Sequence, residues 1–236
     1  EGGTRRGGAG SMAARPASGS MFIQVASHGV SGYAAWKGMV DGMVAAPEKP
    51  PHFPLVKEFW AGPNVMPSSI NVCHIFDSQE KLQECTKMFA PGGPMGELTS
   101  NPIIKPPMTW NQFDVRVVVN EANEVEEGMV LGVYAHGVPD ADAWVDLFAG
   151  STEVMEKLGI VKSYGGVMVE DCAWAPEKGT GVMVVHVFKD LNHKHEHDTM
   201  FDATAPFFAD LIEKGAVIQP LHSSTCGPLF KFSGSA

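Results

Sequence analysis

Apolar and polar side chains alternate with a period of two over residues 22–28. Ile23 and Val25 share one face and Phe22, Gln24, Ala26 and His28 the other, which predicts a strand. Trp36, Met39, Val40, Met43 and Val44 then recur at helical spacing, with Ser31 placed to cap them. Residues 55–59 and 71–76 read as two further strands, and Asp77 with Glu80 forms a capping-box variant that opens a second helix. Residues 113–119 supply a last strand, so the order is β-α-β-β-α-β.

The pattern then returns. Val25-Ala26-Ser27-His28-Gly29-Val30, followed by Ala35-Trp36, reappears 108 residues later as Val133-Tyr134-Ala135-His136-Gly137-Val138, followed by Ala143-Trp144. Residues 55–59 match 160–164 at an offset of 105, and 72–76 match 184–188 at 112, with Met88-Phe89 returning as Met200-Phe201. Residues 103–106 match 217–220 at 114. Blocks in the same order, with offsets that drift only through loops, are the signature of an internal repeat. In the second copy Trp144, Leu147, Phe148, Met155 and Leu158 keep the helix phase behind Asp140, and strands follow over 160–169 and 182–188. A helix restarts at Pro206 and closes at Gly215, and a strand over 229–232 ends the copy. The expected domains are a tail over 1–20, a first repeat over 21–119, an acidic linker over 120–128 and a second repeat over 129–236.

A β-α-β-β-α-β unit builds a four-stranded antiparallel sheet with both helices on one face, and the other face needs a cover. Two copies meeting sheet to sheet supply it. The expected fold is therefore α+β, two ferredoxin-like repeats closing into a fused barrel. Helices are expected on the more uniformly apolar faces, Ile23/Val25 with Cys73/Ile75, and Leu131/Val133 with Met183/Val185/Val187. The opposite faces, with Gln24, His28, His74 and Phe76 in one copy and Tyr134, His136, His186 and Phe188 in the other, would then line the barrel.

Two histidines per copy on one wall are the main chemical clue. A partly buried imidazole can take or give a proton near neutral pH, so His28, His74, His136 and His186 are the candidate catalytic residues. Gln24, Phe76, Tyr134 and Phe188, with Tyr33 at the mouth, would make the cavity aromatic and apolar with a few polar handles. The plainer reading, interior histidines satisfied by backbone or water, stands beside it. His193 and His197 lie four apart on one helical face, but their neighbours are polar, so the segment reads as a solvated face and no metal site is expected. Trp36 and Trp144 read as core anchors, and no phosphate-binding loop or serine-nucleophile motif is present.

The segments Gly32-Tyr33-Ala34-Ala35-Trp36 and Asp140-Ala141-Asp142-Ala143-Trp144 resemble the signature of dimeric α+β barrel proteins. These include antibiotic-biosynthesis-monooxygenase-like and stress-responsive A/B-barrel families. Gly215-Ala216-Val217-Ile218-Gln219-Pro220 resembles the closing motif of such domains. The resemblance spans nearly all of residues 21–236 and implies a one-chain pseudo-dimer. It implies a small enzyme acting on a hydrophobic or aromatic molecule in the barrel cavity, of oxygenase, isomerase or cyclase type, without a nucleotide cofactor. Haem-dependent members leave haem or a metal as a minor alternative to no cofactor. A non-catalytic binder of a hydrophobic ligand, or a stress-type or assembly protein, is the alternative function.

Composition narrows the partners. The 236 residues carry 17 Lys and Arg against 27 Asp and Glu, a net charge of −10, and this balance disfavours nucleic acid and anionic membranes. No run approaches the roughly 18 apolar residues of a spanning helix. Cys73, Cys85, Cys172 and Cys226 are scattered, as in reduced proteins. The expected compartment is therefore reducing, cytoplasmic or an organelle stroma or matrix. Residues 1–20 are rich in Gly, Ala, Ser and Arg and are expected to be disordered, as a transit-peptide remnant or as unrelated upstream sequence.

Overall fold

The computed structural model describes residues 14–16, 20–64, 68–170, 179–202, 204–227 and 229–232, the side chains at 14–16, 219 and 232 excepted. The chain runs β1 (Ala14–Pro16), β2 (Phe22–Val30), α1 (Tyr33–Ala45), a 3-10 turn (Phe53–Leu55), β3 (Glu58–Pro63) and β4 (Ser69–Phe76). It continues through α2 (Gln79–Phe89), α3 (Gly96–Thr99) and the long β5 (Ile104–Val119). The remainder is β6 (Val130–Gly137), α4 (Ala141–Ala149), α5 (Thr152–Lys157), β7 (Ile160–Met168) and β8 (Gly181–Phe188), then α6 (Leu191–Met200), α7 (Pro206–Glu213), β9 (Ile218–Cys226) and β10 (Phe230–Phe232).

All pairings are antiparallel, in the order β10-β3-β4-β2-β5-β7-β8-β6-β9, with β1 on β5. β5 bridges the halves, because its first part pairs with β2 and its last part with β7. The segment carrying β9 and β10 does the same at the other end. β9 pairs with β6, Cys226 bridges Asn64, and Phe230 pairs with Ala61 of β3. The sheet is thereby brought round on itself.

Three apolar layers result. Ile23, Val25, Cys73 and Ile75 pack with Leu131, Val133, Met183, Val185 and Val187 between the two halves. Trp36, Val40, Phe53, Leu82 and Cys85 pack on the outer face of the first half, and Trp144, Phe148, Met155 and Leu158 on that of the second. This corrects the expected orientation. The uniformly apolar faces meet each other inside the barrel, and the histidine-bearing faces lie beneath the helices. The reason is enclosure: the layer between the halves is sealed by strands all round and has room for no polar atom without a partner. A helix layer leaves gaps and offers side-chain partners.

Local expectations also shift. Gly32, not Ser31, precedes α1, and Ser78 rather than Asp77 caps α2 by accepting from the Lys81 N–H. Asp140 caps α4 through the amides of Asp142 and Ala143. Gly215, at φ 70°, ends α7 in the left-handed region, as a C′ glycine does. The strand expected at 55–59 begins at Glu58, since Phe53–Leu55 is a 3-10 turn. Residues 1–13, 17–19 and 171–178, with Cys172, lie outside the described residues, but Ala14–Pro16 pairs with Val117–Val119 rather than forming part of a free tail.

Candidate functional site

Each half has a cavity between its sheet and its helices, and the two differ about fourfold in size. The first, about 70 Å³, is lined by His28, His52, His74, Phe53, Phe59, Phe89 and Trp110, among others. The second, about 290 Å³, holds His136, His186, His197 and Tyr134 among walls that include Trp144, Phe148, Met155, Leu158, Phe201 and Phe207.

Cross-strand pairing explains the difference. His74 pairs with Phe59 on β3, whereas His186 pairs with Ser163 on β7. Aligning the halves at an offset of 105 had equated Phe59 with Tyr164. The pairing equates it with Ser163, one residue earlier. A phenyl ring in one half is thus a hydroxymethyl in the other. Trp110 packs 5.4 Å from Phe89, and His52 lies 5.0 Å from Phe89 and 4.8 Å from Phe53. These rings occupy in the first half the space that stays open in the second.

Within the large cavity His186 is caged by rings. Phe148 stacks on it at 6.1 Å, and Tyr134, Phe188 and His197 lie at 5.6, 5.7 and 5.2 Å. Its Nδ1 sits 2.7 Å from Ser163 Oγ. Burial, reinforced by His197, keeps its pKa well below the usual imidazole value, against the pull of Asp198. His136 Nδ1 lies 2.9 Å from the Gly137 carbonyl, which can only accept, so Nδ1 carries the proton and Nε2 the lone pair. His28 repeats this with Gly29. Burial lowers the pKa of both, and the carbonyl contact partly offsets it. His74 and His52 are held at about 3 and about 4 by burial, His74 also by its neighbour, and neither Nδ1 has a partner among the described residues.

The remaining expected residues are distributed differently. Tyr134 lines the large cavity. Gln24 donates instead to Thr86 of α2 at 3.1 Å. Phe76 and Phe188 are fully buried behind His74 and His186. Tyr33 packs on Trp36 and Phe230, away from both cavities. None of these five faces the barrel interior, nor do the four candidate histidines.

The segment expected to be solvated is the largest departure. His197 and Lys194 are 2% and 4% exposed. Tyr134 donates its phenolic proton to Asp198 at 2.8 Å, His197 Nδ1 lies 3.2 Å from the Tyr134 phenol oxygen, and Lys194 Nζ donates to Asp198. Burial pushes the Asp198 carboxyl up, but hydrogen bonds from His197, Lys194 and Tyr134 prevail and hold it at about 2. Burial and this carboxylate raise the Tyr134 phenol, which stays protonated. The signal was present in the sequence: the offset of 112 that equates Met88-Phe89 with Met200-Phe201 also equates Leu82 and Cys85 with Lys194 and His197. Leu82 and Cys85 are both fully buried. His193, by contrast, is part-buried and bonded to Asp190. Among the described residues no cluster of three or more His, Cys, Asp or Glu side chains is arranged to hold a metal ion, and no helix is long and apolar enough to cross a membrane.

No family model matches the chain, and no curated protein is significantly similar to it. Solved structures do share its fold. The "putative monooxygenase" of Fusobacterium nucleatum aligns with a TM-score of 0.60 at 12% identity, over 92% of this chain and 95% of that one. An anthrone oxidase-like protein gives 0.60 at 11%, over 92% and 96%. A "putative monooxygenase" of Lactobacillus acidophilus gives 0.55 at 10%, over 90% and 94%. The chain thus shares with these structures a mixed α+β fold built on one large antiparallel sheet.

Proposed function

We propose that the chain is a small-molecule enzyme that binds a hydrophobic, aromatic substrate in the large cavity of its second half. The observation that carries this reading is the 290 Å³ space walled by aromatic rings into which three neutral imidazoles and a phenol converge. Such a site removes a proton from an acidic O–H or C–H group, and the resulting anion can isomerise, cyclise or react with dioxygen without a nucleotide cofactor. The likeness to monooxygenase-like and anthrone oxidase-like proteins supports an oxidase-type outcome. His136 and His186 act here, whereas His28 and His74, beside a 70 Å³ space, serve structure. The same reading takes the fold as two ferredoxin-like units, 21–119 and 129–236, that arose by duplication. The parallel strand order of the halves and the shared His28/His136 geometry support it.

The test is a screen of polycyclic phenols and related ketones for oxygen uptake or product formation, followed by substitution. His136→Ala and His186→Ala should each reduce turnover at least tenfold while His74→Ala leaves it within twofold. Unchanged turnover in the His136→Ala/His186→Ala double variant would remove the mechanism. One observation favours a second reading as a ligand carrier: Leu147, which lines the cavity, is 48% exposed and offers an oily entrance without chemistry. Binding without conversion of any bound compound would support that reading.

A further inference from the structure

Four positions change together between the two halves. Ala26, Leu82, Cys85 and Thr86 of the first stand where the second has Tyr134, Lys194, His197 and Asp198, by the offsets of 108 and 112. Where the first half has buried Ala26, Leu82 and Cys85 beside an exposed Thr86, the second has a polar network on the wall of the larger cavity. That difference is costly for stability: the Lys194 ammonium is taken almost wholly out of water, which its pairing with a half-exposed Asp198 rarely repays, and apolar side chains of similar size do as well or better. The first half shows that the apolar solution fits this fold. A network kept at that cost, beside the larger of the two cavities described above, points to chemistry.

Its hydrogen bonds have a direction. Asp198 can only accept, so the Tyr134 hydroxyl at 2.8 Å donates to it, and the phenol oxygen is left to accept from His197 Nδ1 at 3.2 Å. Nδ1 of His197 therefore carries the proton, and Nε2 is its remaining polar atom and a lone pair. A second contact, 3.4 Å from Nδ1 to Asp198, sets a carboxylate beside this ring. Neither His136, bonded to a backbone carbonyl, nor His186, bonded to a serine, touches a carboxylate. A buried imidazole that gains a proton needs an adjacent counter-ion. The other titratable and charged groups around this cavity are His136, His186, Asp210 and Lys214, the last two paired with each other on α7.

We infer that His197 is the proton acceptor of the site and that Tyr134, Asp198 and Lys194 are its positioning residues. This rests on the reading of the cavity as a small-molecule site. The O–H bond of a protic aromatic ligand breaks, an N–H bond forms at His197 Nε2, and an anion and an imidazolium remain side by side. Tyr134 and Asp198 hold the ring and its charge, and Lys194, stretched over the Tyr134 ring at 5.6 Å, anchors Asp198.

Para-nitrophenol is the probe, because its ionised form absorbs at longer wavelength than the neutral phenol. At a pH one unit below its own pKa, wild-type protein should bind it and generate the phenolate band. His197→Gln and Tyr134→Phe should bind it within threefold yet lose most of that band, while His74→Ala, beside the small cavity of the other half, keeps it. A band that survives His197→Gln, or disappears only with His186→Ala, overturns the inference and leaves the cavity reading intact. Failure of the wild type to bind any of a series of aromatic phenols overturns both. Imidazole nitrogen chemical shifts of the wild-type protein give a check that needs no variant. They should show His197 protonated at Nδ1 and bare at Nε2, and the opposite tautomer overturns the inference.

Discussion

Ser163 Oγ lies 2.7 Å from Nδ1 of His186, at the register position where Phe59 stands against His74 in the other half. One hydroxyl both orients an imidazole and leaves a phenyl-sized volume unfilled. Ser163→Ala strips His186 of that partner and should cost about 1–3 kcal/mol, the usual penalty for an unpaired buried polar group. Urea denaturation measures it. Ser163→Phe should instead copy the closed half, weakening aromatic ligands at least tenfold by titration calorimetry.

Gly165 controls the same wall from behind. A Cβ built there would stand 2.6 Å from the Phe148 ring, which stacks at 5.1 Å on Trp144. A ring at the end of a flexible side chain can move, so Gly165→Ala should keep the fold and tip Phe148 into the cavity. The readouts are a changed Trp emission spectrum and a several-fold loss of ligand affinity. An unaltered spectrum would count against this coupling.

The Lys194–Asp198 pair invites a swap. Asp198→Asn alone leaves the Lys194 ammonium buried without its counter-charge. The loss should be about 2 kcal/mol, below the 3–5 typical of a fully buried pair, because the Asp198 side chain is 40% exposed and partly screened by water. Lys194→Leu combined with Asp198→Thr, the residues of the first half, should recover most of that stability. It should not recover proton uptake from para-nitrophenol.

Acid should destabilise the fold in a predictable window. His74 and His52 sit at about 3 and about 4, below the ordinary imidazole value of about 6.5, so the unfolded chain binds protons that the folded one refuses. Their contribution is complete above pH 6.5 and is lost as pH falls towards 3. Asp198, held at about 2, adds a further loss below about pH 4. Urea midpoints should therefore fall steadily from pH 7 to pH 4, and His74→Leu should flatten that slope. An equal slope in the variant would contradict the burial of a neutral His74.

The strands and helices that bury one regular face were legible in the sequence. β2 and β4 announce themselves by alternation, β6 and β8 by short apolar runs, and α1 and α4 by their Trp-led stripes. β9 was not, because Ile218–Cys226 is largely polar and includes Pro220, and its pairing with β6 supplies what its own pattern lacks. The first part of β5 hides likewise behind Lys105, Pro106 and Pro107. The side of the sheet that meets the helices could not be read from apolarity, since both sides are buried. His197 and Lys194 look like surface residues until Tyr134, some 60 positions away, and Asp198 supply their partners.

The pairing of Phe230 with Ala61 has a consequence during synthesis. β3 is an inner strand only once β10 has been made, almost 170 residues later, so an emerging chain carries the edge of β3 unprotected through most of translation. Such an edge pairs readily with other chains. Nascent copies on neighbouring ribosomes would thus be exposed to one another until the last segment arrives.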